Sequence, residues 1–300
     1  MGLWEETPPA KRNAEGPSPR PEDCVSVVMA TFNGAAHLSK QLESLLGQSH
    51  LPDEVIIGDD ASTDGTLGLL RSFAATAPFP VTLVERPARL GYAQNFKVTA
   101  EIARGDLILF CDQDDIWDAD KIRLVANAAR ETSALAYSHD LTVFFESGKS
   151  TSRPIPSYFA HLRGLGLPPD LSSKGCALAV RADFIRRFGW PPASSTVSHD
   201  AWIALLTTAL GQRALIEAPL VQHRIHDRNT SGWLISEDEK QQSACESAST
   251  PFATMLDFYV KDWTRAWVPL LMDKLGATET LVDYAQAATS RDILASHLKD

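Results

Sequence analysis

The sequence predicts an α/β fold, a mostly parallel sheet flanked by helices, with a C-terminal helical extension. Two observations carry this. Apolar runs of strand length alternate with stretches of helical periodicity four times in about 100 residues, the pattern of parallel strands joined by right-handed crossovers. The polar clusters at 31–33, 59–64 and 112–115 each fall at the carboxyl end of a strand-like run. Ligands of open α/β sheets bind in the crevice beyond those ends, so the three clusters are expected to share one site.

In chain order, residues 1–23 hold five prolines and eight charges and are expected to form a disordered leader. Val25–Thr31, VSVVMAT, reads as a buried strand stopped by the turn residues Phe32-Asn33-Gly34. Leu38, Leu42, Leu45 and Leu46 follow at helical spacing. A second strand covers 54–58, and the helix after it carries Leu67, Leu70 and Ala74. Val81–Glu85 is a third strand, and 91–102 a helix with Ala93, Phe96 and Ala100 inward. In the stretch 107–117, LILFCDQDDIW, five apolar residues form the central strand, and its carboxyl end delivers Asp112, Asp114 and Asp115. A helix over 120–129 turns Ile122, Val125 and Ala129 inward.

Further on, 134–145 and 176–180 read as strands, 198–210 as a helix, and 214–216 and 220–225 as short strands. One domain is expected over 24–235, divided at 131/132, with a helical extension over 236–300. In that extension Leu256, Tyr259, Val260, Trp263, Trp267, Leu270 and Leu271 make one apolar stripe. The stripe suits either a core or subunit face, or peripheral contact with a membrane; the opposite face is of mixed charge rather than basic.

Composition narrows the function. A hydrophobic share of 44% supports a sizeable core, and a net charge of −10 without any basic run argues against nucleic-acid binding. Cys24, Cys111, Cys176 and Cys245 lack metal-ligand or redox spacing. Cys111 and Cys176 lie in apolar runs and are expected to be buried thiols. No transmembrane-length apolar run or signal-peptide core occurs, so a soluble protein of a reducing compartment is expected. The carboxylates at 112, 114 and 115 repel one another unless a cation lies between them. A hard divalent ion shared with nucleotide phosphates is the usual solution, and a solvated acidic turn is the plain alternative.

The strings VSVVMATFNG, DEVIIGDDASTDGT, RLGYAQNF and GDLILFCDQDDIWDADKI, in order over residues 25–131, resemble family 2 glycosyltransferases of the GT-A (Rossmann-like) fold. DQDD with SHDAW (198–202) and HRIHDRNTSG (223–232) is similar to the bacterial rhamnosyltransferase subgroup. The resemblance implies that 24–131 binds the nucleotide and 132–235 the acceptor. Thr31 and Asn33 then border the nucleotide, and Asp60 accepts the N3–H of a uracil or thymine, unless it serves only as an Asx turn or cap. Asp64 is better suited to capping the next helix. Asn95 lies near the ribose or phosphates, or is a helix-surface amide.

Asp112 and Asp114 match the family's DxD acids. Asp114 is expected to bind Mn²⁺ or Mg²⁺ directly, and Asp112 the ribose or the metal through water. Asp115 is a further acid or a helix cap. Trp117 either packs under the sugar or closes the core. Asp200 matches the general base, with a helix N-terminus to favour its anion; a simple cap is the alternative. His226 matches a third metal ligand, and His223 and Arg224 are candidates for the diphosphate. Gly175 and Cys176 lie in a loop facing the acceptor. His199 joins them on the acceptor side, where the wider family often has an acid.

The activity so implied is metal-dependent, inverting transfer from a UDP- or dTDP-sugar, with dTDP-rhamnose among the candidates, to a glycan or lipid-linked glycan acceptor. The setting implied is surface polysaccharide synthesis in the cytoplasm or at the inner membrane face. A receiver domain is disfavoured because the acid pair follows the second strand, not the first. A sugar nucleotidyltransferase would open with a Gly-rich phosphate loop, which 29–34 lacks. A non-catalytic nucleotide-binding descendant would be expected to have lost one of Asp60, Asp114, Asp200 or His226.

Overall fold

Apolar residues of alternating parity divide the central strands between two cores, and this sets the layering. In the computed structural model, which describes residues 23–146, 155–164, 169–171, 173–191 and 198–226, strand β1 spans Val25–Thr31. Its Val25, Val27 and Met29 enter one core and Val28 the other. β2 (Glu54–Asp59) divides likewise, with Val55 and Ile57 on one face and Ile56 on the opposite one. So does β4 (Leu107–Cys111), with Leu107 and Leu109 opposed to Ile108 and Phe110. Strands buried on both faces have no polar side to show, which is why these read as continuous apolar runs.

Helices cover both faces. α1 (Leu38–Leu46), α2 (Thr66–Thr76) and α4 (Lys121–Glu131) pack on the first core through Leu38, Leu42, Leu45, Leu70, Phe73, Ile122 and Val125. α3 (Tyr92–Ala100), α6 (Ala182–Phe188) and α7 (His199–Ala209) pack on the second through Phe96, Phe184, Trp202 and Leu206. Gly58 lets α3 approach β2 closely, because a Cβ there would lie 2.2 Å from Thr99 Oγ1 and 2.4 Å from Asn95 Oδ1.

With β3 (Val81–Glu85), β5 (Ile116–Trp117), β6 (Ala136–Phe145), β7 (Leu178–Arg181) and β8 (Arg213–Ile225), the sheet order is β3-β2-β1-β4-β7-β6-β8-β5. Only β7 and β5 run against the rest, so the sheet is mostly parallel. Residues 31–33, 59–64 and 112–115 all emerge at the same edge of the sheet.

Several boundaries differ from the sequence reading. The apolar run 107–111 is the strand expected there, β4, and the acid loop breaks away after Cys111; the short strand Ile116–Trp117, which pairs with β8 at the far edge, was not anticipated. Residues 214–216 and 220–225 belong to one strand, β8, whose register shifts opposite Asp140, where Pro219 supplies no N–H to the ladder. The expected strand 176–180 begins instead as a 3₁₀ turn, Gly175–Ala177. α5 (Tyr158–Gly164) and α6 were not anticipated; each is only seven residues long and too short to establish a periodicity. The leader over 1–22, the extension over 236–300 and the stripe over 254–272 lie outside the described residues. No helix among the described residues is long and apolar enough to cross a membrane.

Gly58→Ala is expected to destabilise the protein by about 1–3 kcal/mol, since α3 must move or the Asn95 and Thr99 side chains must leave their partners. A denaturant titration measures this; an unchanged midpoint would show that α3 is not held at that distance.

Candidate active site

The loop after β1 is held by side chains from the loop after β2. Thr31 donates to Asp59 Oδ1 at 2.9 Å, and Asp59 Oδ2 accepts the Ser62 N–H at 2.9 Å. Asn33, at φ +48°, accepts the Thr63 N–H at 2.8 Å. Left-handed backbone is most tolerable for asparagine among residues with a Cβ, and here its amide also closes the loop. Asp60 is 2% exposed and accepts the Leu90 and Gly91 N–H groups at 2.6 and 2.8 Å, fixing residues 86–91 beside the cleft. Asp64, ahead of α2, accepts the Thr66 N–H at 2.9 Å, the capping duty anticipated for it.

Asn95 borders the same cleft, but its amide is committed to the fold. It donates to Gly58 O at 2.7 Å and accepts from Arg86 Nε at 2.9 Å, with 1% exposure. The expectation of a surface amide is corrected, and a ribose or phosphate contact would have to compete with these bonds.

After β4 the chain places its acids around a buried cation and two histidines. Asp115 is fully buried; it accepts from His223 Nδ1 at 2.8 Å and from the Arg224 N–H at 3.1 Å. Burial pushes this carboxyl up, but the opposed His223 outweighs it and holds Asp115 below its usual range. Burial likewise disfavours the His223 imidazolium, yet Asp115 raises it above the ordinary histidine value. Asp115 is therefore a strut between the acid loop and β8, not a helix cap. Asp114 Oδ2 lies 2.9 Å from His226 Nε2, and its carbonyl accepts from Arg224 Nε at 2.8 Å.

Gln113 faces the other way and clasps Phe32, accepting its N–H at 2.9 Å and donating to its carbonyl at 3.1 Å. This clasp ties the acid loop to the β1 loop. Arg89 caps the arrangement, its guanidinium carbon 3.9 Å from the centre of the Phe32 ring.

Trp117 is a correction. It is 4% exposed in the core and does not line the cleft; the Lys121 ammonium sits 3.5 Å from its ring centre. β5 pairs at the sheet's far edge, and its tryptophan closes the core, the other role open to it in sequence. Lys121, 1% exposed, donates to Cys176 O at 2.6 Å, and burial lowers its pKa to about 8. It fastens the 3₁₀ turn of Gly175 and Cys176 to the floor of the site. Cys176 is buried, and burial followed by Asp115 holds its thiol well above the usual range. Cys111 is also a buried thiol, as expected from its apolar run.

Asp200 is the second residue of α7. Its Oδ1 accepts from the Ser198 hydroxyl and from the Ala201 N–H at 2.9 Å, so one oxygen is fixed at the helix N-terminus. The side chain also lines the cleft, so capping and chemistry are compatible.

One cleft of about 560 Å³ gathers Thr31, Asn33, Asp60, Asn95, Asp112, Asp114, Gly175, Cys176, His199, Asp200, His223 and His226. That size suits a small-molecule ligand of cofactor class. Arg89, Phe32, Tyr92 and Gln113 also line it and were not singled out in sequence. The strings RLGYAQNF and DQDD contain three of them, but nothing in their pattern says that a loop arginine stacks on Phe32.

The acids test whether a divalent cation fits. Burial, then Asp115 and Asp114, push Asp112 up to about 8, and no described residue donates a hydrogen bond to its carboxylate. Burial, then Asp115, raises Asp114 as well. Two half-buried carboxylates short of positive charge, with an imidazole beside them, suit Mn²⁺ or Mg²⁺ chemically. Ligand atoms of Asp115, Cys176 and His223 also lie within 4.8 Å of one another. That deeper cluster fits a hard cation less well, because the thiol stays protonated and Asp115 already pairs with His223.

Residues 26–188 match the family described as Glycosyl transferase family 2. The dTDP-rhamnosyl transferase RfbG of Shigella flexneri is 31% identical over 225 residues, covering 69% of this chain and 75% of that protein. Among solved structures, S. aureus TarS 1–349 in complex with UDP-GlcNAc aligns over 88% of each chain with a TM-score of 0.57 at 16% identity. The mannosyltransferase PcManGT from Pyrobaculum calidifontis in complex with GDP-Man and Mn²⁺ aligns over 73% of this chain and 62% of that one, with a TM-score of 0.55 at 23% identity. These likenesses make the fold GT-A.

Asp112 binds its proton more tightly folded than unfolded. In metal-free buffer, stability should therefore fall as pH rises from the ordinary carboxylate range through about 8. Asp112→Asn should flatten that decline and melt higher than wild type at the alkaline end. Melting temperatures across pH 5 to 9 in chelator check this, and parallel profiles would refute it.

Proposed function

We propose that this chain, which belongs to glycosyl transferase family 2 and is a glycosyltransferase, moves a sugar with inversion from a UDP- or dTDP-sugar to a glycan or lipid-linked glycan acceptor. The observation that carries the reading is that the acid loop and Asp200 face one cleft together with Asp60. The name of the Shigella relative supports dTDP-rhamnose as the donor, and the TarS complex supports a UDP-sugar. The uracil and thymine pairing edges present the same N3–H, and we assign Asp60 to accept it.

Asp114 and His226 would hold the divalent cation directly, with Asp112 beside them or on the ribose; Mn²⁺ in the PcManGT complex supports this assignment. When bound, that ion neutralises charge on the departing nucleoside diphosphate. Asp200 accepts the proton of the acceptor hydroxyl as its oxygen attacks the anomeric carbon from the face opposite the diphosphate, which inverts the centre. Because Asp200 Oδ1 is held by Ser198 and Ala201, Oδ2 is the oxygen left to take that proton. Arg89, stacked on Phe32 at the rim, adds positive charge on the nucleotide side.

Surface polysaccharide synthesis in the cytoplasm or at the inner membrane face is the setting we propose, and the stripe over 254–272 would meet a membrane or a second copy. This part of the reading rests on family analogy.

Thermal-shift titrations with UDP, dTDP, GDP and CDP, each with and without MnCl₂, test the donor assignment. UDP or dTDP should raise the melting temperature most, and more with metal. Asp114→Ala should remove the metal-dependent part, and a shift indifferent to metal would overturn the assignment. Asp200→Asn should lower kcat by about 10²- to 10⁴-fold with nucleotide affinity retained. Equal turnover by that variant would exclude Asp200 as the base.

A further inference from the structure

Tyr92 presents an aromatic ring to the cleft without being tied to the fold. It lines the cleft and is 47% exposed. Among the described residues its hydroxyl has no hydrogen-bond partner, and its ring stacks on no other ring or cation. The other two aromatic carbocycles of the lining are engaged. Phe32 lies under the Arg89 guanidinium, and Phe96, 2% exposed, packs on the rings of Phe110 and His199 at 5.8 and 4.7 Å.

The helix fixes where the ring stands. Tyr92 is the first residue of α3, and Phe96 lies one turn later on the same face. Phe96 touches His199, which immediately precedes Asp200 at the start of α7. Tyr92 therefore continues the face of α3 that meets the α7 N-terminus, one turn nearer the cleft mouth. Its electrostatic surroundings agree: burial, then the Asp200 and Asp112 carboxylates, hold the phenol above its ordinary range.

The start of α3 is also held firmly. Gly91, just before Tyr92, has φ +86°, a conformation that residues with a Cβ rarely adopt. Buried Asp60 accepts the N–H groups of both Leu90 and Gly91, so a fixed carboxylate sets the approach to Tyr92. A tyrosine carries its contact area on two torsions and loses little freedom when a ligand covers it.

We propose that Tyr92 is the platform on which the acceptor sugar stacks, one C–H face of its pyranose ring against the phenol ring, with the attacking hydroxyl directed to Asp200. Ring C–H groups carry slight positive charge and meet the negative face of the aromatic ring, while the sugar hydroxyls stay at the edge of the contact. The groups assigned to the nucleotide and its cation, Asp60 and Asp114, are far less exposed, which leaves the outer ring for the sugar arriving from solvent. The inference rests on the transferase reading above and deepens it, because it draws an acceptor contact from the 24–131 half otherwise given to the nucleotide.

The test compares wild type, Tyr92→Phe and Tyr92→Ala in melting temperature, in UDP and dTDP affinity with MnCl₂, and in saturation-transfer NMR. The NMR probes are the methyl pyranosides of glucose, galactose, mannose, N-acetylglucosamine and rhamnose, titrated with and without nucleotide. At least one glycoside should bind wild type, with the strongest saturation on the protons of one ring face. Tyr92→Phe should keep that pattern and bind within about twofold of wild type. Tyr92→Ala should weaken glycoside binding by about 10-fold or more, as truncation of an aromatic anchor does. It should still bind nucleotide within about twofold and melt within about 2 °C of wild type.

Unchanged glycoside binding by Tyr92→Ala would overturn the platform, as would the absence of any glycoside binding to wild type. An equal loss in Tyr92→Phe would make the hydroxyl the contact and overturn it too. A Tyr92→Ala protein that loses nucleotide affinity would move the ring to the donor, and one that melts far below wild type would make it part of the fold; both contradict the proposal. Failure of every nucleotide to bind wild type would instead count against the transferase reading, and the nucleotide-free glycoside titrations would still judge the platform.

Discussion

The crowding of carboxylates at the end of β4 is the constraint on which the rest of the site depends. Asp112, Asp114 and Asp115 emerge from a strand with no exposed residue, into a space where burial and mutual repulsion raise the first two. The surrounding elements answer that charge. β8 brings His223 against Asp115 and His226 against Asp114, α4 brings Lys121 beneath the loop, and Gln113 binds the loop to β1. The compensation is incomplete, since Asp112 still prefers its proton near neutral pH. A site that the protein itself neutralises only partly is suited to a cation that arrives with its ligand.

Two groups of elements line the cleft. Loops from β1, β2 and the segment before α3 form one wall, rich in backbone donors fixed by buried side chains. The turn at Gly175 and the N-terminus of α7 form the other, where Asp200 and His199 lie. Lys121 connects the walls, because the ammonium under the acid loop also fastens the Cys176 carbonyl. The same ammonium is seated over the Trp117 ring.

Much of this was legible in sequence for an identifiable reason. Parallel strands buried on both faces announce themselves as apolar runs, and polar residues directly after such runs must gather at one edge. That logic brought Thr31, Asn33, Asp60, Asp112 and Asp114 to one cleft. It fails where an element is too short to repeat or where a residue's partner is remote. α6 follows β7 without a break, and the two-residue strand β5 turns Trp117 away from the cleft by pairing with residues more than 100 positions later. Asn95 read as a ribose or phosphate contact or as a surface amide because Gly58 and Arg86, which bond its side chain, lie 37 and 9 positions away. His199 was legible as a cleft residue, but its lack of partners is a fact of three-dimensional packing alone.

The most direct test of the central claim is the proton balance of cation binding. Isothermal titration of MnCl₂ with UDP or dTDP present, repeated at pH 7 in two buffers of different ionisation enthalpy, counts the protons released. If the acid loop holds a proton that the cation must displace, about one proton should leave per metal bound at pH 7 and fewer at pH 9. Metal binding with no proton release at either pH would contradict the account, because the crowded acids would then already be ionised without a cation.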